Sequence, residues 1–548
     1  MKKFLRENHQ QLFFGCWFLI NLVQAGTTGL MDDEAYYWVY SLFPAWGYFD
    51  HPPMIALLIK AGTTLFPGEL GVRFFIVLLN TLTLVLIYRM LPRKNDLLFY
   101  AICGSLMLAQ IGGILAVPDL PLLFFAALYF LLYKRFLQNT NLFNAILFGT
   151  GIALMLYSKY HGILLVFFTL ISNPSLFKNI YTYLVAGIAL ALFAPHIYWQ
   201  LQHDLPSVQY HLFERNASSY EVGFTIEYIL GQLALAGPVV GWLLLYASFQ
   251  QHTTNQFEKT LKYCLVGIYV FFLFSTFKGR VEANWTVPAF VALIILSHTY
   301  LTTHEALTKW LYRLLPITLV LVLALRIFMA LDIERVQSIS KDEFHGNREW
   351  VKEVGEKAGG IPVVMLNSYQ LPSKYWFYSG NMAFGLNTPY YRRNNYNFWP
   401  IEDSLFGKKV MVMGRKDSIL FNKFFNHQVL KESGLMFIDD YYSFSKVQFT
   451  DLKIENGYMN FKSKSPANYL GLFQEKTYDT ASILFAAIEP NVGVYYYSTG
   501  LTVKDIRSER QDFNVKVPAV LMQKKIIKLA ITSSIPGHPS LNSTNAKR

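Results

Sequence analysis

Three adjacent carboxylates, Asp32, Asp33 and Glu34, follow the first apolar run of this chain, and Ala35-Tyr36-Tyr37-Trp38 continue the segment. A short way on comes Gly47-Tyr48-Phe49-Asp50-His51-Pro52-Pro53. Charges at the end of a membrane helix are costly and usually paired or functional. A carboxylate that takes the proton of an attacking hydroxyl activates a weak oxygen nucleophile, and neighbouring acids raise one another's proton affinity. Asp33 and Glu34 are therefore candidate catalytic bases. Asp119, in Val117-Pro118-Asp119-Leu120-Pro121, is a second candidate, because the expected topology brings it to the same surface. Helix capping is the alternative for Asp32 and for Asp119, and it accounts for one acid of the cluster, not three.

A phosphate would need cations. Pro52 and Pro53 lack amide hydrogens, so a helix starting there cradles an anion poorly and His51 is the side chain supplied; the alternative makes Asp50 the cap and His51 a spacer. Lys159 and His161 interrupt an apolar region, and with Arg73, Lys278 and Arg280 they could hold a departing phosphate oxygen. Snorkelling is the alternative for Lys159. Asp32, Tyr48 and Tyr160 are further candidates for binding substrate, and His203, Asp204, Glu282 and Asn284 are polar groups beside Trp and Tyr, as sugar binding uses and as any membrane interface also carries. No P-loop, dinucleotide fingerprint, HExxH or GxSxG is present in a plausible context. The three cysteines, Cys16, Cys103 and Cys264, lie in apolar runs, so no cysteine zinc site is expected and the carboxyl-terminal part has no internal disulfide.

The elements that must position these groups are apolar helices. The chain has 548 residues, 53% hydrophobic and 15% charged, with a mean hydropathy of +0.27. Spans are expected at 11–30, 71–91, 97–116, 120–134, 142–157, 161–173, 178–199, 224–248, 262–276, 286–301 and 313–331, about eleven in all. With the amino terminus in the cytoplasm, the loops richest in Lys and Arg fall inside and every candidate group outside. The net charge of +12 is then explained by topology rather than by nucleic acid. Lys2, Lys3 and Arg6 ahead of the first run read as an uncleaved signal-anchor, although Val23-Gln24-Ala25 offers a cleavage site. The aromatics from Tyr36 to Phe49 suit a headgroup-level belt, and Pro52 to Phe66 a short helix on the membrane.

Residues 1–331 thus form a membrane domain and 332–548 an extracytoplasmic one, α/β near 345–435 and mostly β near 438–535, where Ser443 to Phe449 alternates like a strand. The last dozen residues are expected to be a loose tail.

Asp32-Asp33-Glu34-Ala35-Tyr36-Tyr37-Trp38, Gly47-Tyr48-Phe49-Asp50-His51-Pro52-Pro53, Pro118-Asp119-Leu120-Pro121 and Ser158-Lys159-Tyr160-His161-Gly162, with Trp199-Gln200-Leu201-Gln202-His203-Asp204 more loosely, carry a family likeness. The chain resembles the glycosyltransferase C (GT-C) superfamily, and most closely its bacterial branch related to protein O-mannosyltransferases and the lipid A aminoarabinose transferase. The resemblance covers the amino-terminal three-fifths. It implies a multi-pass enzyme of the inner membrane that passes a sugar, with inversion, from a polyprenyl-phosphate carrier to a lipid, glycan or protein acceptor outside the cytoplasm, generally without a divalent metal or other cofactor. The family's acid after the first span falls on Asp33 and its second loop acid on Asp119. Where the aminoarabinose transferase has lysine before proline, this chain has His51. A flippase or transporter of lipid-linked glycans, and an oligosaccharide ligase or polymerase, are the other readings; the absence of an internal repeat weighs against a transporter.

Overall fold

The computed structural model describes residues 2–211, 220–331, 342–413, 435–489 and 493–547. They fall in two compact units, Met1–Glu334 and Arg335–Arg548.

The first unit is helical, because its apolar runs satisfy backbone groups internally wherever water is excluded. Helix α1 (Lys2–Thr27) turns through 89° into α2 (Asp32–Leu42), followed by α3 (Met54–Leu65) and α4 (Gly68–Met90). Helix α5 (Asp96–Ser105) breaks by 77° into α6 (Met107–Gln110) and a tight turn at Gly112–Ile114. Then come α7 (Asp119–Gln138), α8 (Leu142–Ser158), α9 (Ile163–Ser172), α10 (Ile180–Gln202) and the short α11 (Pro206–Gln209). Helix α12 (Val222–Ala236) bends by 92° into α13 (Gly241–Gln250), and α14 (Gln256–Ser275), α15 (Phe290–Leu301) and α16 (Glu305–Ala330) complete the unit. The α12–α13 bend rests on Gly237, whose φ of 139° and closeness to the Ser105 carbonyl (2.8 Å from an added Cβ) exclude a side chain.

Each expected span falls on helix. By length and composition, five of the described helices can cross a membrane alone, or up to eight spans if each bent pair counts as one; three shorter apolar helices accompany them. Part of the expected outer segment 200–222, residues 212–219, lies outside the described residues.

The aromatic belt is corrected. Tyr36, Tyr37, Tyr40, Tyr48 and Phe49 are buried, while Trp46 is exposed. Tyr40 stacks on Tyr48 at 4.1 Å and meets Tyr36 edge-on at 4.8 Å. These rings are core, gaining more from mutual packing than from the headgroup layer.

The second unit contains a four-stranded sheet of order β2-β1-β3-β4, with β1 (Val363–Leu366), β2 (Ala383–Leu386) and β3 (Val410–Met413) parallel and β4 (Leu435–Ile438) antiparallel. Helices α17 (Asn347–Ala358) and α18 (Gln370–Ser379) pack on it through Val351, Val354, Leu371 and Tyr375. Strands β1, β2 and β3 are fully buried, whereas the edge strand β4 exposes Met436 and Phe437. Beyond it lie two antiparallel sheets. One comprises β5 (Gln448–Glu455), β6 (Tyr458–Lys464) and β9 (Arg510–Lys516). The other comprises β7 (Ser482–Glu489), β8 (Gly493–Thr502), β10 (Ile526–Ile531) and β11 (Ser540–Leu541). Alternating side chains of both, with Tyr469 of α19 (Ala467–Leu472), fill a shared core.

Two expectations fail here. Ser443–Val447 is a loop, not a strand: Phe444 has φ 53°, and Ser443 Oγ and the Ser445 amide donate to the buried Glu402 carboxylate. The described part of the last dozen residues, 537–547, is not loose either. Ser540–Leu541 pairs with β10, Asn542 donates to the carbonyls of Phe444 and Val447, and Ser543 Oγ accepts from the Leu529 amide.

Candidate functional site

The acidic cluster opens α2, whose first turn places three carboxylates near the positive end of the helix dipole. Asp32 is not the cap. Met31 holds that position, and its amide donates to Glu34 at 2.9 Å. Asp32 is buried and Asp33 half-buried.

Glu34 and Arg73 are fully buried and face each other. Arg73 donates from Nε to Glu34 Oε1 at 2.7 Å and from Nη2 to Oε2 at 2.5 Å. Its other N–H groups donate to the carbonyls of Ala25 (3.1 Å), Thr28 (2.5 Å) and Gly29 (2.8 Å). A guanidinium has five donors, and these contacts use all of them. Glu34 Oε1 also accepts from the Ala116 amide at 2.7 Å. This corrects two sequence expectations: Arg73 has no N–H left for a donor phosphate, and Glu34 accepts four hydrogen bonds, so neither is poised to act on substrate. Together they clamp the α1–α2 corner to α4 and to the segment that leads into α7.

That clamp sets the site. Asp33 precedes Glu34, and Asp119 lies three residues beyond Ala116, so one hydrogen bond ties the two candidate acids into neighbouring backbone segments. Asp119, at the first turn of α7, is buried. It accepts from Lys159 Nζ at 2.8 Å and from Asn284 Nδ2 at 2.9 Å. Three elements therefore converge on it: the α7 start, the break after α8 and the turn Ala283–Ala289. An ammonium has three donors and Asp119 takes one, so Lys159 can address a further anion while Asp119 neutralises and orients it.

The segment between α2 and α3 forms the next wall. Asp50 is buried and accepts from the hydroxyls of Tyr36 and Tyr40, both at 3.3 Å. It is not the cap of α3, a position held by Pro53. The His51 ring lies 5.6 Å from Tyr37 and 6.4 Å from His211, whose Nε2 is 3.0 Å from the Asp50 carbonyl. Behind it runs a polar network. Tyr160 Oη is 2.9 Å from His196 Nε2 and accepts from Gln200 at 3.1 Å, and Gln200 also donates to Ser207 Oγ at 2.8 Å. Ser207 donates to the carbonyls of Tyr48 and Phe49, and His196 Nδ1 lies 2.7 Å from that of Trp46. Gly47 permits this approach: an added Cβ would sit 2.5 Å from the Trp199 ring and 2.9 Å from His196 Nδ1.

Tyr48, expected to bind substrate, instead donates to the carbonyls of Tyr40 and Phe43 and braces its own loop. His161 is half-buried, its ring 5.4 Å from Trp285 and 5.3 Å from Phe272. His203 stacks on Trp199 at 4.2 Å, and Asp204 is exposed with φ 63°. Glu282 and Asn284 are half-buried on the turn that reaches Asp119. Lys278 is exposed, and Arg280 pairs with Glu227 at 3.2 Å on the surface; no described contact brings either to the Asp119 cluster. Asp50, His196, Gln200, Ser207 and His211 were missed. Asp50 stood within a quoted motif, and His196 was a lone ionisable group in an apolar run. Among the described residues no group of three or more His, Cys, Asp or Glu is arranged to hold a metal ion.

Parts of the chain are similar to known proteins. Residues 50–199 match the family described as dolichyl-phosphate-mannose-protein mannosyltransferase. Lipid A galacturonosyltransferase RgtD of Rhizobium johnstonii is 25% identical over 302 residues, 52% of this chain and 63% of that relative's length. The solved ArnT of Cupriavidus metallidurans bound to undecaprenyl phosphate superposes with a TM-score of 0.55 at 13% identity, covering 76% of this chain and 94% of that one. Its apo form gives 0.55 at 14% identity, with the same coverage. The fold is therefore that of a polytopic membrane protein of glycosyltransferase C type. It is similar in fold to ArnT, and residues 50–199 are similar to the protein mannosyltransferases.

Proposed function

We propose that this protein is an inverting membrane glycosyltransferase that moves a sugar from a polyprenyl-phosphate carrier to a hydroxyl of a glycolipid acceptor outside the cytoplasm. Asp33 takes the proton of the acceptor hydroxyl as it attacks the anomeric carbon. Lys159, oriented by Asp119, and His51 and His161 hold the leaving phosphate, whose charge grows as the bond breaks. Glu34 and Arg73 position the two acids without touching substrate. The observation that carries the reading is the convergence of Asp33 and of the Asp119–Lys159 pair on the two ends of one hydrogen bond, Ala116 N to Glu34. The names of the relatives support the donor and acceptor classes.

The test is to incubate the purified protein in nanodiscs with short-chain prenyl-phosphate sugars and a glycolipid acceptor. Release of prenyl phosphate together with a new glycosidic bond, read by mass spectrometry, is expected. Movement of the donor across a sealed vesicle with no new bond would make the protein a transporter instead.

A further inference from the structure

An open sheet edge presents a row of unpaired backbone N–H and C=O groups, a template on which another chain can pair. The three sheets described in the second unit have six edge strands, and five of them are blunted. Strands β2 and β4 have four residues each and β11 has two. Strand β5 is covered by the carboxyl-terminal segment: the amides of Phe449 and Ile454 donate to the carbonyls of Asn542 (2.7 Å) and Lys547 (2.9 Å). Strand β9 carries Arg510, Asp512 and Lys516, and charges on an edge discourage a foreign strand.

Strand β8 has none of these devices. At ten residues, Gly493–Thr502, it is the longest strand described, and it contains neither a charge nor a proline. Its one irregularity against β7 falls after Ser498, so residues 493–498 run in regular register. Among the described residues only β7 pairs with β8, and no loop amide or carbonyl bonds to the backbone of 493–498. Antiparallel pairing turns the N–H and C=O of every second residue in that stretch outward. Tyr495 is 46% exposed and Ser498 is exposed, while Tyr497 packs against the core that the two antiparallel sheets share.

The two ends of the strand differ in charge. At the amino end Lys524 pairs with Glu489 and lies 5.8 Å over the Tyr495 ring, and Lys525 follows it, so bases outnumber acids. At the carboxyl end Lys504 pairs with Asp479, and Asp505, Arg507 and Glu509 follow, so acids outnumber bases.

We infer that β8 is the interface through which two copies of this chain associate, edge to edge and antiparallel, joining two four-stranded sheets into one. Identical strands paired in this way meet about a two-fold axis, which closes the assembly at a dimer. Antiparallel pairing sets the basic end of each strand beside the acidic end of the other, whereas parallel pairing would set like ends together. The association is independent of the glycosyl-transfer reading above.

The test follows the full chain in detergent micelles by native mass spectrometry over a range of concentrations, with hydrogen exchange on the same samples. A dimer is expected, and its formation should slow exchange within residues 493–498 at least about tenfold. Y495K/S498K, which alters two exposed positions, lines the edge with like charge and should raise the dimer dissociation constant about tenfold. Mixing it with Y495E/S498E should restore association, which misfolding of either variant could not do. Should a variant fail to fold, exchange in the wild-type protein decides. A monomer at every concentration, or a dimer that a folded Y495K/S498K leaves unchanged, would overturn the interface. So would folded variants that fail to rescue each other, or a dimer whose 493–498 amides exchange as fast as the monomer's. Slow exchange there in the monomer would also overturn it, because another segment would then cover the edge.

Discussion

Replacing Glu34 by Gln should unmake the clamp while hardly changing side-chain volume. The carboxylate accepts four hydrogen bonds, two from Arg73 and one each from the amides of Met31 and Ala116. Gln retains one acceptor oxygen and turns an NH2 group toward two of those donors. It also leaves Arg73, with no exposed surface, uncompensated. Breaking a buried pair in this way costs about 3–5 kcal/mol. The effect on transfer comes through position: the Ala116 tether loosens, and Asp33 and Asp119 lose their common anchor. The assay pairs chemical unfolding in micelles with sugar transfer, for E34Q, R73M and the double variant. Each single change should cost about 3–5 kcal/mol. The double should cost less than the sum by about 0.5–3 kcal/mol, because the members of one network couple. Strict additivity, or an E34Q protein with normal stability and transfer, would refute the clamp.

Gly47→Ala should force the segment before α3 off Trp199 and His196, costing about 1–3 kcal/mol in unfolding measurements. Asp119→Asn should leave Lys159 without its counter-ion and lower transfer at least about tenfold, with Lys159→Ala behaving alike in the same kinetics. In the second unit, burial raises the Glu402 carboxyl above its usual range. A raised folded-state value makes its contribution to stability full at acid pH, below the unfolded carboxyl value, and lost as pH rises through the folded one. Melting temperature should therefore carry a falling component across that window, and Glu402→Gln should flatten it; identical pH profiles would remove Glu402 as the cause.

Much of this architecture could be read from the chain because its signals are local. Apolar runs marked the long apolar helices among the described residues, and carboxylates set at helix starts, Asp33 and Asp119, stood out against that background. Pairings across long sequence distances could not be read. Arg73 looked like a phosphate ligand until its partner 39 residues away was in view. Tyr36, Tyr40 and Tyr48 have the composition of an interfacial belt, and only tertiary packing turns them inward. The alternation at Ser443–Phe449 matched a strand, yet its serines serve a buried carboxylate contributed by Glu402. Polar residues near the carboxyl terminus read as a tail, although Asn542 and Ser543 close the edge of a sheet.

The decisive measurement is single-turnover transfer from a short-chain prenyl-phosphate sugar by the wild-type protein and by Asp33→Asn, with folding checked by thermal unfolding. The amide keeps the shape of the side chain and cannot accept the acceptor's proton. Loss of a general base lowers transfer by about two to four orders of magnitude while donor binding persists. A folded Asp33→Asn protein that transfers sugar at nearly the wild-type rate would contradict the account.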